Sequence, residues 1–193
     1  VLCIHYNPNR MLCVIKHSFN TMKGNLILTP ENALAFERTM YMLDNSIKEL
    51  LMVAHNLMPE NLVKFGLDTA LKEFCESITD SGVLKVSYHT SGINRVQLVG
   101  DTEIIVYRII QELINNTVKH AGATEIIVQL LAHNGKLNIT VEDNGKGFDV
   151  HTLDMAKGFG WRNIKNRVEH LKGTLQVTST PGKGTGVTFE FNV

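Results

Sequence analysis

Three residues able to accept, donate or move a proton, Glu112, Asn116 and His120, recur at every fourth position in the stretch ELINNTVKH. In a helix that spacing puts them on one face, close beside an apolar stripe of Ile105, Ile109 and Leu113. A solvated helix face would account for scattered charge. Asn115 and Asn116, however, are poor helix formers in an otherwise strong helical pattern, which points to something bound. Strand parity supplies an independent clue. Along 136–143, Leu137, Ile139 and Val141 point one way and Asn138, Thr140 and Glu142 the other, so Asp143 falls on the apolar side. Along 185–193, Val187, Phe189, Phe191 and Val193 share a face, and Thr185 has the same parity at the strand's start. A carboxylate and a hydroxyl thus look inward from strand ends. A ligand with a donor and an acceptor would satisfy both, and a hydrogen bond between the two is the plainer alternative. Between them lie Gly145, Gly147, Gly158 and Gly160, in DNGKGF and GFG, the latter feeding a helix. Glycines permit close backbone approach and a helix amino terminus offers free amides, so a phosphate-bearing ligand fits. No GxGxxG follows a first strand and no GxxxxGK precedes Ser or Thr, so neither a dinucleotide fold nor a P-loop is indicated.

These residues need a scaffold, and the periodicity predicts one. Leu67, Leu71, Phe74 and Ile78 mark an amphipathic helix, followed by strand-like runs at 84–88 and 95–99. A helix over 101–120 comes next, then strands over 125–132 and 136–143 joined at Asn134 and Gly135, a dipeptide favoured in two-residue hairpins. A helix over 162–172 stopped by Gly173, and strands over 174–180 and 185–193 around Pro181 and Gly182, complete the pattern. The expected class is α+β, a two-layer α/β sandwich with helices on one face of a mixed sheet. Upstream, Phe36, Met40, Leu43, Ile47, Leu50, Ala54 and Leu57 alternate by four and three, a coiled-coil seam. Pro30 and Glu31 suit its start and Pro59 its stop. Leu12, Ile15, Phe19 and Met22 continue the spacing as far as Gly24 and Asn25, which break it. Two helices and a short loop make a hairpin whose single seam cannot be buried alone, so a homodimer forming a four-helix bundle is expected. The division expected is 1–65 for the hairpin and 66–193 for the sandwich.

Composition narrows the functional classes. The chain has 193 residues, 44% of them hydrophobic, enough for a core. Nineteen basic residues balance nineteen acidic ones, so no overall field favours nucleic acid or an anionic membrane. No stretch reaches the ~20 apolar residues that span a bilayer, and a cytoplasmic segment is expected, whether or not a membrane or sensor region lies elsewhere. Cys3, Cys13 and Cys75 form no CxxC pair and fit reduced thiols. Cys3, His5, Cys13 and His17 match no common zinc spacing.

In order, ELINNTVKH (112–120), DNGKGF (143–148), GFG (158–160) and GTGVTF (184–189) closely resemble the N, G1, G2 and G3 boxes of the Bergerat-type ATP-binding domain shared by sensor histidine kinases, gyrase, Hsp90 and MutL. The hairpin resembles the dimerisation and histidine-phosphotransfer domain of the kinase subfamily that includes nitrate and lipid-fluidity sensors. LMVAHNLMPENLVKFG (51–66) is similar to the end of that subfamily's second bundle helix. The resemblance implies ATP and Mg²⁺ as cofactors, Asn116 as the Mg²⁺ ligand and Glu112 as the residue orienting or activating the attacking group. It implies that Asp143 accepts from the adenine amino group with Thr185 nearby. Lys119, His120 and the backbone at Gly145, Gly147, Gly158 and Gly160 would serve the nucleotide, under a short lid over 149–157. A response-regulator receiver domain is the implied partner.

One departure concerns the phospho-acceptor. Counting back along the first bundle helix places His5 at the subfamily's acceptor position, where an Asp usually follows. Here Tyr6, Asn7 and Pro8 follow instead, and a proline three residues on removes a helical donor and bends the helix. The alternative expectation is therefore a catalytically impaired, dimeric nucleotide-binding module. His55 superficially resembles the acceptor box of the larger kinase subfamily, but its place just before Pro59 argues for packing or capping.

Overall fold

The computed structural model describes residues 8–23, 29–56, 60–150 and 159–193. Alternation dictates the sheet. Ile126, Val128 and Leu130 of β2 (Glu125–His133) and Leu137, Ile139 and Val141 of β3 (Lys136–Asp143) are buried, while the residues between them face outward or sit half-exposed. Asn134 and Gly135 both adopt positive φ, 51° and 73°, the geometry a tight β2–β3 hairpin demands. With β1 (Lys85–Ser91), β4 (Thr174–Ser179) and β5 (Thr185–Asn192) the sheet runs β1-β2-β3-β5-β4. β1 pairs β2 in parallel and every other pair is antiparallel. A parallel neighbour needs a crossover, supplied by α4 (Thr102–Asn116). With α3 (Glu60–Asp80) and α5 (Phe159–His170) it packs on one face of the sheet, giving the expected two-layer sandwich.

Three local features differ from expectation, each for a physical reason. The run at 95–99 is not a strand. Residues 93–95 form a 3₁₀ turn, and beyond it Leu98 packs against the core while Val99 is 80% exposed. This apolar run anchors the approach to α4 instead of joining a ladder. The free side of β1 is met by a side chain, since Val86 N–H donates to Thr79 Oγ1 of α3 at 2.9 Å. The helix over 101–120 is α-helical only through Asn116 and then widens into a π turn, Thr117–Ala121, closed by Gly122 at φ 62°. Finally, Lys172, at φ 53°, takes the left-handed position after α5, and Gly173 N–H bonds to Val168 O at 3.0 Å. Gly173 answers to packing instead: a Cβ there would lie 2.6 Å from Glu190 O.

The amino-terminal hairpin comprises α1 (Pro8–Lys23) and α2 (Pro30–Asn56), with Phe19 and Phe36 in edge contact at 6.2 Å. Along α2, Ile47 is buried and Phe36, Met40 and Leu43 are half-buried, whereas Tyr41 and Met42 are 69% and 68% exposed, as one seam predicts. The loop at Gly24 and Asn25, the stop at Pro59, and the side chains of Leu12, Leu50, Ala54 and Leu57 lie outside the described residues. α3 is kinked at Gly66 (φ 79°, ψ 177°), and Leu62 upstream of the kink is buried in the same core as Leu67. No described helix is long and apolar enough to cross a membrane.

Candidate functional site

A cavity of about 500 Å³ opens where the end of α4, the inner ends of β3 and β5 and the first turn of α5 converge. Its lining includes the apolar Leu113, Val141 and Val187, and its polar groups come from two places, the paired strand ends of β3 and β5 and the corner between α4 and α5. Asp143 and Thr185 face each other across the β3–β5 register. Both line the cavity, so the strand parity of each is matched by its placement. They do not bond directly to one another. Asp143 Oδ1 accepts the Gly145 N–H at 2.8 Å and Oδ2 the hydroxyl of Thr117 at 3.3 Å, while Thr185 Oγ1 lies 3.0 Å from Ser179 Oγ. Each carboxylate oxygen keeps a lone pair for a ligand donor.

From the helical side, Glu112 and Asn116 project from successive turns of α4 beside Gly160. A Cβ on Gly160 would fall 2.7 Å from Glu112 Oε1 and 3.5 Å from Asn116 Nδ2, so glycine there keeps this corner open. Lys119 and His120, carried by the π turn, and Lys146 are exposed along the cavity, the two lysines as cations. The rim is therefore suited to an anionic group and the interior to a flat apolar one with an amino donor. Among the described residues, no group of three or more His, Cys, Asp or Glu could hold a metal. A hard cation beside Asn116 would draw its remaining oxygens from phosphates and water, as Mg²⁺ does with nucleotides.

Of the expected glycines, Gly147 lines the cavity at φ 57°, and a Cβ there would overlap the Thr180 carbonyl and lie 2.8 Å from that of Gly184. Gly145 is buried behind the site, where a Cβ would sit 2.6 Å from Ala121 O, and Lys146 N–H donates to that same oxygen at 2.8 Å. These contacts pin the π turn to the loop after β3. Gly158 and most of the 149–157 lid lie outside the described residues, as do Cys3 and His5. His55 falls within α2 near its end, with its side chain outside the described set.

Sequence reasoning passed over Thr117, Lys146, Phe148 and Trp161, all lining the cavity. Phe148 and Trp161 form an aromatic wall, ring centroids 6.0 Å apart and tilted by 60°. The chain's single Trp directly after GFG was a readable signal. Thr117 was hidden by its place one residue off the Glu112–Asn116–His120 stripe. Cys75 plays no part: it is buried in the core, and burial pushes its thiol up to about 12, away from thiolate chemistry at neutral pH.

Comparison with known proteins agrees with this geometry. The family described as histidine kinase-, DNA gyrase B- and HSP90-like ATPase matches residues 101–193. The sensor histidine kinase MctS of Rhizobium johnstonii is 34% identical over 158 residues, covering 81% of this chain and 34% of MctS. The sensor histidine kinase ComP of Bacillus subtilis is 33% identical over 131 residues, 67% of this chain and 17% of ComP. The chain thus spans about a third or less of these curated relatives. Among solved structures, the histidine kinase domain of the Erythrobacter litoralis EL346 blue-light activated histidine kinase superposes with TM-score 0.59 at 20% identity, covering 95% of this chain and 93% of that one. The Acinetobacter baumannii histidine kinase AdeS gives 0.52 at 17% identity, covering 95% of each chain. At these identities the likeness speaks for the fold.

Proposed function

Because the chain carries a histidine kinase catalytic core whose residues 101–193 belong to the histidine kinase-, DNA gyrase B- and HSP90-like ATPase family, we propose that it binds Mg-ATP in this cavity and transfers the γ-phosphoryl to a histidine, and thence to a response-regulator aspartate. The observation that carries the reading is the lining of one cavity by Asp143 and Thr185, paired across β3 and β5, and by Glu112 and Asn116, which meet Gly160 between α4 and α5. Asp143 accepts from the adenine amino group while Leu113, Val141 and Val187 cover the ring. Asn116 offers its amide oxygen to Mg²⁺, which when bound neutralises charge developing on the phosphates. Lys119, His120 and the backbone at Gly160 face the triphosphate. Glu112 orients the attacking imidazole and receives its proton as the nitrogen–phosphorus bond forms and ADP departs.

A second reading, a dimeric nucleotide-binding module without transfer, is favoured by Tyr6, Asn7 and Pro8 after His5. A tyrosine phenol is a poor base near neutral pH, and Pro8, at which α1 as described begins, has no N–H with which a helix could continue back through His5. Incubation with γ-labelled ATP decides between the readings. The second reading predicts weak labelling or none from the chain as it stands, with partial recovery when Tyr6→Asp and Pro8→Ala restore a base and a helix former. Strong acid-labile labelling abolished by His5→Gln would reject the second reading, and labelling abolished only by His55→Gln would move the acceptor to α2.

The half-buried seam of Phe36, Met40 and Leu43 supports a homodimer through the hairpin. Sedimentation at tens of micromolar, an order-of-magnitude choice for an interface of ordinary size, should show a dimer, and a chain starting at Glu60 should be monomeric. A monomeric full chain at that concentration would remove the bundle.

A further inference from the structure

We propose that Ser179 is a positioning residue that fixes the direction of the Thr185 hydroxyl, so that the base end of the cavity presents lone pairs alone and selects a base bearing an exocyclic amino group. This rests on the nucleotide reading above and adds to it the residue that sets base selectivity.

Ser179 Oγ lies 2.9 Å from the Phe148 amide nitrogen, 3.0 Å from the Gly184 carbonyl oxygen and 3.0 Å from Thr185 Oγ1. The amide can only donate, the carbonyl can only accept, and Ser179 has one proton. Given to Gly184 O, that proton leaves two lone pairs on Ser179, one for Phe148 N–H and one for the Thr185 hydroxyl, and all three bonds form. Turned toward Thr185, it leaves Gly184 O without this donor and only two bonds form. Partly buried polar groups settle into the arrangement that satisfies most of them. Thr185 therefore donates to Ser179, and its oxygen faces the cavity as an acceptor.

The neighbouring oxygens are in the same condition. The Thr117 hydroxyl lies 3.2 Å from Leu113 O and 3.3 Å from Asp143 Oδ2, both acceptors, so its proton stays within the protein. Asp143 brings acceptors only, with Oδ1 already taking the Gly145 N–H. Three oxygens from α4's end, β3 and β5 thus all seek an N–H. An amino group supplies it, whereas a carbonyl at that place on the base sets lone pair against lone pair and leaves the oxygens unpaired. Ser179 achieves this without touching the ligand: it lines the neighbouring small groove behind Asp143 and Thr185, not the cavity itself.

The test measures dissociation constants of the full 193-residue chain for ATP and for inosine triphosphate, in which a carbonyl replaces the amino group. Wild type should prefer ATP by ~10-fold or more, the scale of a mispaired polar group. Ser179→Ala frees the Thr185 proton to turn to the base, and the preference should shrink roughly fivefold, the weight of one hydrogen bond. Ser179→Thr, which keeps the hydroxyl, should keep the preference. In a Thr185→Val background Ser179→Ala should change the preference no further, whereas a role confined to holding Phe148 N–H would weaken both nucleotides alike in either background. Should Ser179→Ala fail to fold, Ser179→Cys, whose sulfur is a weak acceptor, carries the same expectation. ATP binding with an undiminished preference in the variant overturns the role of Ser179 and leaves the nucleotide site standing. A wild-type chain that binds neither nucleotide overturns the site and this assignment together.

Discussion

Asp143→Asn is expected to weaken ATP binding by ~1–3 kcal/mol, about 5- to 150-fold, because it exchanges a charge-assisted acceptor for a mixed amide. The oxygen that bonds to Gly145 N–H holds the group in place, so an amide in that position must turn its NH₂ toward the cavity. That NH₂ would meet the amino group of adenine donor to donor. It would also meet the Thr117 hydroxyl, which can answer by giving its proton to Leu113 O. The fold should survive, since Asn144 and the rest of the loop keep their own bonds to Thr124 and Glu125. Calorimetry on the variant measures the loss. Unchanged affinity in a folded Asp143→Asn chain would remove Asp143 from the base site.

Gly184→Ala should do more damage to the protein itself. Gly184 has φ 82°, a conformation that costs a residue with a Cβ about 1–2 kcal/mol, and a Cβ there would overlap the backbone carbonyl of Asp143 and lie 3.2 Å from Asn144 Cα. Relief requires β5 to pull away from β3 at the point where Asp143 and Thr185 are paired. A loss of about 2–4 kcal/mol in stability is expected, together with weakened ATP binding, because strain at this register separates the two residues of the base end. Urea unfolding followed by circular dichroism measures the first, and a midpoint equal to wild type would contradict it. By contrast, Gly182→Ala shares a left-handed φ of 80° but meets nothing within 4 Å, so it should cost only the backbone term.

How much of this was legible beforehand depended on whether a residue's role is local. Asp143 and Thr185 were found from parity because a strand's period is two, and a single inward polar residue at its end cannot be absorbed by any other register. Their partnership across β3 and β5 was not legible, since strand order depends on pairings far apart in the chain. Glu112 and Asn116 were found from helical spacing, whereas the π turn that carries Lys119 and His120 has no signature in the pattern, its cause being the closure onto Ala121 and Gly122. The strand expected at 95–99 failed for the complementary reason. Its apolar residues do bury surface at Leu98, but they pair with neither edge strand, β1 or β4, and burial without a partner strand produces an anchored loop. Ser179 was invisible for a third reason: a serine at the end of a strand gains meaning only when two other segments, the loop at Phe148 and the start of β5 at Gly184 and Thr185, close around its oxygen.

The most direct test of the account uses Trp161, the one tryptophan in the chain and part of the cavity wall. Its indole N–H gives a single resonance in a nitrogen-15 correlation spectrum of the full chain. Titration with Mg-ATP should move that resonance saturably and stoichiometrically, and adenosine diphosphate should compete. An indole resonance that stays fixed through millimolar Mg-ATP would contradict the placement of the nucleotide between α4, β3, β5 and α5.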